Sequence, residues 1–242
     1  MSTSPGKIIL ALDVEGFKEA EGFVKKLSSI IGIFKVGKQL FTHCGPKIIE
    51  MIHDYRCKVF LDLKFHDIPN TVARAVEEAS KHKVFMLTVH ALGGRKMMSQ
   101  AAAAAASVCR HTSSPPPLIL AVTILTSLAQ EDLHEIGIDV PVESAVSRLA
   151  ILAEQAGVSG VVASAQEAPL IRASCGEGFT IVTPGIRPRG SAPDDQKRIV
   201  TPAEALLAGA HYLVIGRPVL EAADPLRAAY EIAEEVAKTE IK

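Results

Sequence analysis

Cysteine is scarce and unpatterned in this chain. Cys44, Cys57, Cys109 and Cys175 lie far apart, and none forms a CxxC pair or stands at metal-ligand spacing from a histidine. Neither a disulfide framework nor a zinc module is indicated, and reduced thiols in a cytoplasmic protein are expected. No apolar run approaches the roughly 20 residues of a membrane-crossing helix. Residues 8–12 supply five apolar positions before Asp13, too few for the apolar region of a secretion signal. The net charge of -1 offers no broad basic field for nucleic acid or an anionic membrane. No GxGxxG follows the first apolar run, and Walker A, HExxH and GxSxG patterns are missing. Dinucleotide-binding, ATPase, zinc-protease and α/β-hydrolase readings therefore lack their signatures. No Pro/Gly/Ser-rich linker divides the chain, so a single domain over residues 1–242 is expected.

What is present is a rhythm. With 48% hydrophobic and 22% charged residues, the composition is that of an ordinary globular protein. Short apolar runs recur at residues 7–12, 33–36, 58–61, 85–90, 118–123, 160–163, 180–183 and 212–215. They lack strict polar alternation, as parallel strands covered on both faces do. Helical stripes lie between them. Phe17, Ala20, Val24, Leu27 and Ile31 form one, Phe41, Ile48, Ile49 and Ile52 another, and Val72, Val76 and Ala79 a third. The alanines at 101–106 read as a helix packed closely on a sheet. Eight strands alternating with helices predict an α/β fold, a (β/α)8 TIM barrel, with a doubly wound open sheet as the alternative. Residues 113–117 read as the loop into the fifth strand. Residues 184–196 read as a long loop after the seventh, of the kind that often closes over a site.

In such a barrel the active site lies where the strands end. Those ends carry Asp13, Lys35, the trio Asp62, Lys64 and Asp67, His90, Thr123 and Thr126, Gly185 with Arg187, and Gly216 with Arg217. Asp62 and Lys64 are two residues apart, so an extended strand points both into the barrel mouth while Leu61, Leu63 and Phe65 face the helices. Partial burial then demands that the charges pair, and flanking carboxylates are expected to keep the lysine protonated. Such a lysine is a cation and proton donor rather than a Schiff-base nucleophile. The same spacing also fits a structural ion-pair network. Asp67, just before Pro69, also fits a helix start, Asp13 a helix cap, His90 a core histidine, Lys35 a snorkelling surface residue, and Arg217 a surface ion pair. The loops after strands 7 and 8 point to an anion. Gly185 and Gly216 let backbone N–H groups approach it, Arg217 adds a fork of donors, and Arg187 and Gln196 lie on the long loop.

At these residues the sequence resembles the orotidine 5′-phosphate decarboxylases of bacterial type. "ALD" at 11–13, "FKVG" at 34–37, "DLKFHDIPNT" at 62–71, "TVHALGG" at 88–94, "AVTILTS" at 121–127, "TPGIRP" at 183–188, "DQKRIVTP" at 195–202 and "VIGRPV" at 214–219 fall in the family's order. DxKxxDI is the most specific of them. The resemblance implies cofactor-free, metal-free decarboxylation of orotidine 5′-monophosphate by a homodimer with shared sites. Asp13 would bind ribose hydroxyls. Lys35, Asp62, Lys64 and Asp67 would form an alternating charge network, with Asp67 and Thr71 reaching into the partner's site. Thr126 would contact the pyrimidine, and Gln196 and Arg217 the phosphate. Two rivals are a metal-dependent barrel decarboxylase acting on 3-keto-gulonate 6-phosphate and a non-catalytic phosphosugar-binding barrel. The first wants an acid at the end of strand 1 or 2, where strand 2 offers Lys35.

Overall fold

The computed structural model of the chain describes residues 6–110, 115–188 and 200–240. Eight parallel strands close a barrel in chain order: β1 (Ile8–Ala11), β2 (Ile33–Gly37), β3 (Lys58–Phe65), β4 (Met86–His90), β5 (Leu118–Val122), β6 (Gly160–Val162), β7 (Thr180–Thr183) and β8 (Tyr212–Ile215). β8 returns to β1 through Ile8 and Leu213, so no strand edge is left open. The helices are α1 (Phe17–Leu27), α2 (Lys38–Cys44), α3 (Lys47–Asp54), α4 (Pro69–Lys81), α5 (Gly94–Arg110), α6 (Gln130–Glu135), α7 (Val142–Gln155), α8 (Ala168–Cys175), α9 (Pro202–Leu207), α10 (Arg217–Leu220) and α11 (Pro225–Glu240). This is the (β/α)8 architecture that the alternating runs predict, and it removes the open-sheet alternative.

The absence of polar alternation has its cause in two cores. Ile9, Ile33, Phe60, Met86, Leu120 and Val182 point inward and fill the barrel. Their neighbours along each strand, such as Ile8, Leu10, Phe34 and Leu61, point outward and pack under the helices. Both faces are thus withdrawn from water, the condition under which a strand is apolar throughout. The inner wall closes tightly where β6 meets β7, and a Cβ at Gly160 would lie 2.0 Å from the Thr180 carbonyl oxygen. Outside, α4 starts with Pro69 and buries Val72, Val76 and Ala79, and it packs along α5, where Ala101 and Ala105 are buried.

Two elements differ from expectation. The stripe from Phe41 to Ile52 is carried by two helices, because Gly45 takes a φ of 60° and Pro46 follows it. A left-handed glycine ends α2, and proline restarts the chain as α3. The second difference is β3, which carries Asp62 and Lys64 as expected and runs to Phe65, but whose register against β4 shifts between Leu61 and Phe65. Of the loop leading into β5, residues 113 and 114 lie outside the described residues. So does most of the long loop after β7, whose two ends meet where the Arg187 N–H donates to the Val200 carbonyl at 3.0 Å.

Candidate active site at the C-terminal mouth

Because the inner core fills the lower barrel, the next inward positions lie at the mouth, where Lys35 and Asp62 reach the cavity and Thr88 stays buried behind them. On β2, β3 and β4 those positions are Lys35, Asp62 and Thr88, each two residues beyond a core side chain. The Lys64 ammonium donates to both Asp62 oxygens, at 2.9 and 2.8 Å. Lys35 stands 3.6 Å from Asp62 on one side and 3.3 Å from Asp13 on the other. The result is an alternating line, Asp13–Lys35–Asp62–Lys64, whose central members are the most enclosed, at 11% exposure for Lys35 and 12% for Asp62. Lys35 is therefore a pocket residue and does not snorkel. Asp13 does not cap α1, whose N-cap is Gly16 with no side-chain hydrogen bond. At Gly37 a Cβ would come within 3.3 Å of the Lys35 ammonium, which favours glycine beside this ion pair. Burial pushes the Asp62 carboxyl up, but the charges of Lys35 and Lys64, with hydrogen bonds from Lys64 and Thr88, outweigh it. Its pKa is held below the ordinary carboxylate value, so it stays ionised.

The backbone beneath Lys64 is unusual. Its φ is 52°, in the left-handed region, which costs a side-chain-bearing residue roughly 1–2 kcal/mol. The two other non-glycine residues with positive φ among those described, Arg56 and Lys83, lie in turns after helices. Lys64 alone sits inside a strand. It marks a bulge: β3 advances four residues, from Leu61 to Phe65, while β4 advances two, from Leu87 to Val89. Beyond the bulge His66 stacks on His90, with ring centroids 5.2 Å apart. The His90 Nδ1 accepts the Leu92 N–H at 3.4 Å. Burial, with His66, Lys64 and Lys38 nearby, pushes its pKa down to about 4.

Asp13, Lys35, Asp62 and Lys64 line a cavity of about 240 Å3, room for a small molecule. Its walls are asymmetric. The arc from β1 to β3 carries the charged line, whereas Val122, Ile124, Leu125 and Val162 make the wall of β5 and β6 apolar. The arc of β7 and β8 adds Gly185, Arg187, Gly216 and Arg217, and Thr126 also reaches the cavity. Gly185 has a φ of 78°, which favours glycine there, but Gly216 has a φ of -125° and no such demand. Asp67 and Thr71 do not line this cavity. Both are exposed at the start of α4, where Asp67 accepts the Ile68 N–H at 2.6 Å. Gln196 lies outside the described residues. Sequence reasoning passed over Thr88, fully buried, and the His66–His90 stack. The one signal for Thr88 was its place two residues past Met86 in an inward row.

Among the described residues, no group of three or more His, Cys, Asp or Glu side chains is arranged to hold a metal, and no helix is long and apolar enough to cross a membrane. Fold and site together define a (β/α)8 barrel with a lysine–carboxylate line at the mouth of a small-molecule cavity. The chain belongs to the orotidine 5′-phosphate decarboxylase / HUMPS family, whose profile matches residues 6–232. It is 55% identical to the orotidine 5′-phosphate decarboxylase of Syntrophotalea carbinolica over 231 residues, covering 96% of this chain and 95% of the relative. It is 52% identical to that of Geotalea daltonii over 230 residues, covering 95% of each. The crystal structure of orotidine 5′-phosphate decarboxylase from Lactobacillus acidophilus superposes with a TM-score of 0.84 at 34% identity, over 95% of this chain and 98% of that one.

Proposed function

We propose that this chain, as one (β/α)8 catalytic domain, converts orotidine 5′-monophosphate to uridine 5′-monophosphate without a cofactor, in pyrimidine biosynthesis. The observation that carries the reading is the Lys64 ammonium held by both oxygens of an ionised Asp62 at the cavity wall. In the reaction the bond from C6 to the carboxylate breaks, CO2 leaves, and the electron pair stays on C6. That pair lies in the ring plane, so it cannot spread into the π system. Fixed positive charge beside C6 is the remaining means of stabilising it. Lys64 supplies that charge and then transfers a proton from Nζ to C6, regaining one from solvent afterwards. Asp62 aims the ammonium, and Lys35 keeps Asp62 ionised and links it to Asp13.

The remaining assignments follow the family motifs. Asp13 and Lys35 meet the ribose hydroxyls, Thr126 the pyrimidine, and Arg187, Gln196, Gly216 and Arg217 the phosphate. Holding the phosphate, remote from C6, lets binding energy drive closure of the loop after β7 and so appear as rate. Asp67 completes the charge line from a second copy, as does Thr71. Two features support that homodimer. Among the described residues Asp67 pairs with no cation of its own chain, and Ile68 and Leu92 beside it are 67% and 45% exposed although apolar. The setting proposed is the cytoplasm.

The direct test is loss of orotidine monophosphate absorbance with excess chelator and no added cofactor. Uridine monophosphate and CO2 in equal amounts are expected. Binding without turnover would make the protein a nucleotide-binding barrel, and turnover abolished by chelator would favour the metal-dependent rival. For the shared site, inactive Lys64→Ala and Asp67→Ala subunits are mixed. Partial activity in the verified heterodimer is expected, and none would refute the dimeric site.

A further inference from the structure

The bulge in β3 raises a question of satisfaction. Once β3 carries two more residues than β4 between their paired positions, the Lys64 N–H has lost its place in the ladder, and a buried backbone donor left unpaired is costly. Its acceptor is a side chain. The Lys64 N–H donates to Thr88 Oγ1 at 2.9 Å, and that hydroxyl donates onward to Asp62 Oδ1 at 2.9 Å. Asp62 in turn receives the Lys64 ammonium. The bonds close a ring that starts at the backbone of Lys64 and ends at its own side-chain tip, and Thr88, 0% exposed, is its hinge. The hydrogen-bond directions are forced. A backbone N–H only donates, so the hydroxyl oxygen accepts from it, and the single hydroxyl proton remains for the carboxylate.

We propose that Thr88 is a positioning residue: its hydroxyl clamps the left-handed turn at Lys64 to the carboxylate that aims the Lys64 ammonium, and so fixes that ammonium against the cavity. The catalytic part of this inference rests on the decarboxylase reading above. The role needs a hydroxyl, which accepts and donates at one atom. Valine preserves the shape but neither accepts nor donates, which leaves a buried N–H unpaired and frees Asp62 to turn. Serine retains both hydrogen bonds and loses one methyl group.

Thr88→Val, Thr88→Ser and the unaltered protein are compared in steady-state decarboxylation. Asp62 is titrated in each by 13C NMR, its signal assigned by loss in Asp62→Asn. In Thr88→Val, kcat should fall on the order of 10–100-fold, the scale of a displaced reacting group, with KM changed by less than about threefold. The Asp62 midpoint should rise, because a hydrogen bond to its charged form is gone. Thr88→Ser should restore kcat to within roughly threefold and return the midpoint. Should Thr88→Val not fold, Thr88→Ala carries the same expectations without a clash. Unchanged kcat and Asp62 titration in the valine variant would overturn the proposal, as would a serine variant as impaired as the valine. If the unaltered protein does not turn over, the titration still decides. A raised midpoint keeps the clamp while the decarboxylase reading falls, and an unmoved one removes the clamp itself.

Discussion

The two ends of the barrel both hold enclosed cations, and they hold them differently. At the C-terminal mouth, Lys64 and Lys35 are bound by side-chain carboxylates beside an open cavity, and Lys64 stands on a strained backbone. At the N-terminal end, Arg172 of α8 is bound chiefly by backbone. Its guanidinium donates to the carbonyls of Gly209 at 2.9 and 3.1 Å, Gly176 at 2.8 Å, Glu177 at 3.1 Å and Phe179 at 2.7 Å, and to Nδ1 of His211. That arrangement staples the turns leading into β7 and β8. A cation whose donors end on carbonyls is neutralised by fixed dipoles and has nothing left for a ligand. A cation paired with a side-chain carboxylate beside a cavity keeps a field that a bound molecule can feel. Positive φ is found at both ends, but Arg56 and Lys83 adopt it in the turns entering β3 and β4, whereas Lys64 adopts it inside a strand, beside the cavity.

The sharpest way to break this contrast is to remove one cation from each end. Lys64→Ala should lower kcat by roughly 10³-fold or more, the scale of losing a preorganised electrostatic donor, while circular dichroism and Tm stay near those of the unaltered protein. Arg172→Met should do the reverse. It leaves several carbonyls short of donors and should destabilise by about 2–3 kcal/mol, read by urea unfolding, with kcat unchanged in the folded fraction. If Arg172→Met lowered kcat as steeply as Lys64→Ala, the division of labour between the two ends would be wrong.

A smaller effect tests the strain. Lys64→Gly and Lys64→Ala both lack the ammonium and should be equally inactive. Glycine tolerates φ of 52° and alanine does not, so Lys64→Gly should be the more stable by about 1 kcal/mol. Equal stabilities in urea would mean that the left-handed turn relaxes when the lysine is removed.

The two ends also differ in how much of them the sequence disclosed. The barrel was legible because strands covered on both faces must be apolar throughout. The charge line was legible from the spacing of Asp62 and Lys64, and both do reach the cavity, although the strand between them is not regularly extended. The bulge was not. "FLDLKF" contains no glycine to announce a positive φ, so nothing local distinguishes it from a regular strand. Thr88 was hidden for a related reason: a β-branched residue is at home in any strand, and its hydroxyl matters only once β3 slips against β4. Arg172 was invisible because its partners are mainly carbonyls, which every residue carries. Thr71 was singled out by motif alone and Asp67 also by its place just past strand 3, and the roles proposed for both call on a second chain.

The smallest effect separates the two ends by pH. His211 Nδ1 accepts from both Arg172 and the Ile181 N–H, the latter at 3.1 Å, so the ring is neutral and carries its proton on Nε2. Burial lowers its pKa, as do Arg172 and Lys7, and Glu177 opposes them weakly. In the unfolded chain an ordinary histidine takes up a proton near pH 6.5. The native ring resists until the pH is lower. Unfolding therefore binds a proton in that window, and stability falls as pH drops through it. His90, pushed down to about 4, adds to the same slope, whereas Asp62, held low, loses its contribution only below the ordinary carboxylate range. Asparagine at 211 keeps an acceptor near the Nδ1 position and does not titrate. His211→Asn should thus take up less proton on unfolding, by a fraction of one, between pH 7.5 and 5, measured as a shallower dependence of Tm on pH. The pH dependence of kcat, set at the other end, should not move. An unchanged slope of Tm would place the acid sensitivity elsewhere and leave the Arg172 staple indifferent to its histidine.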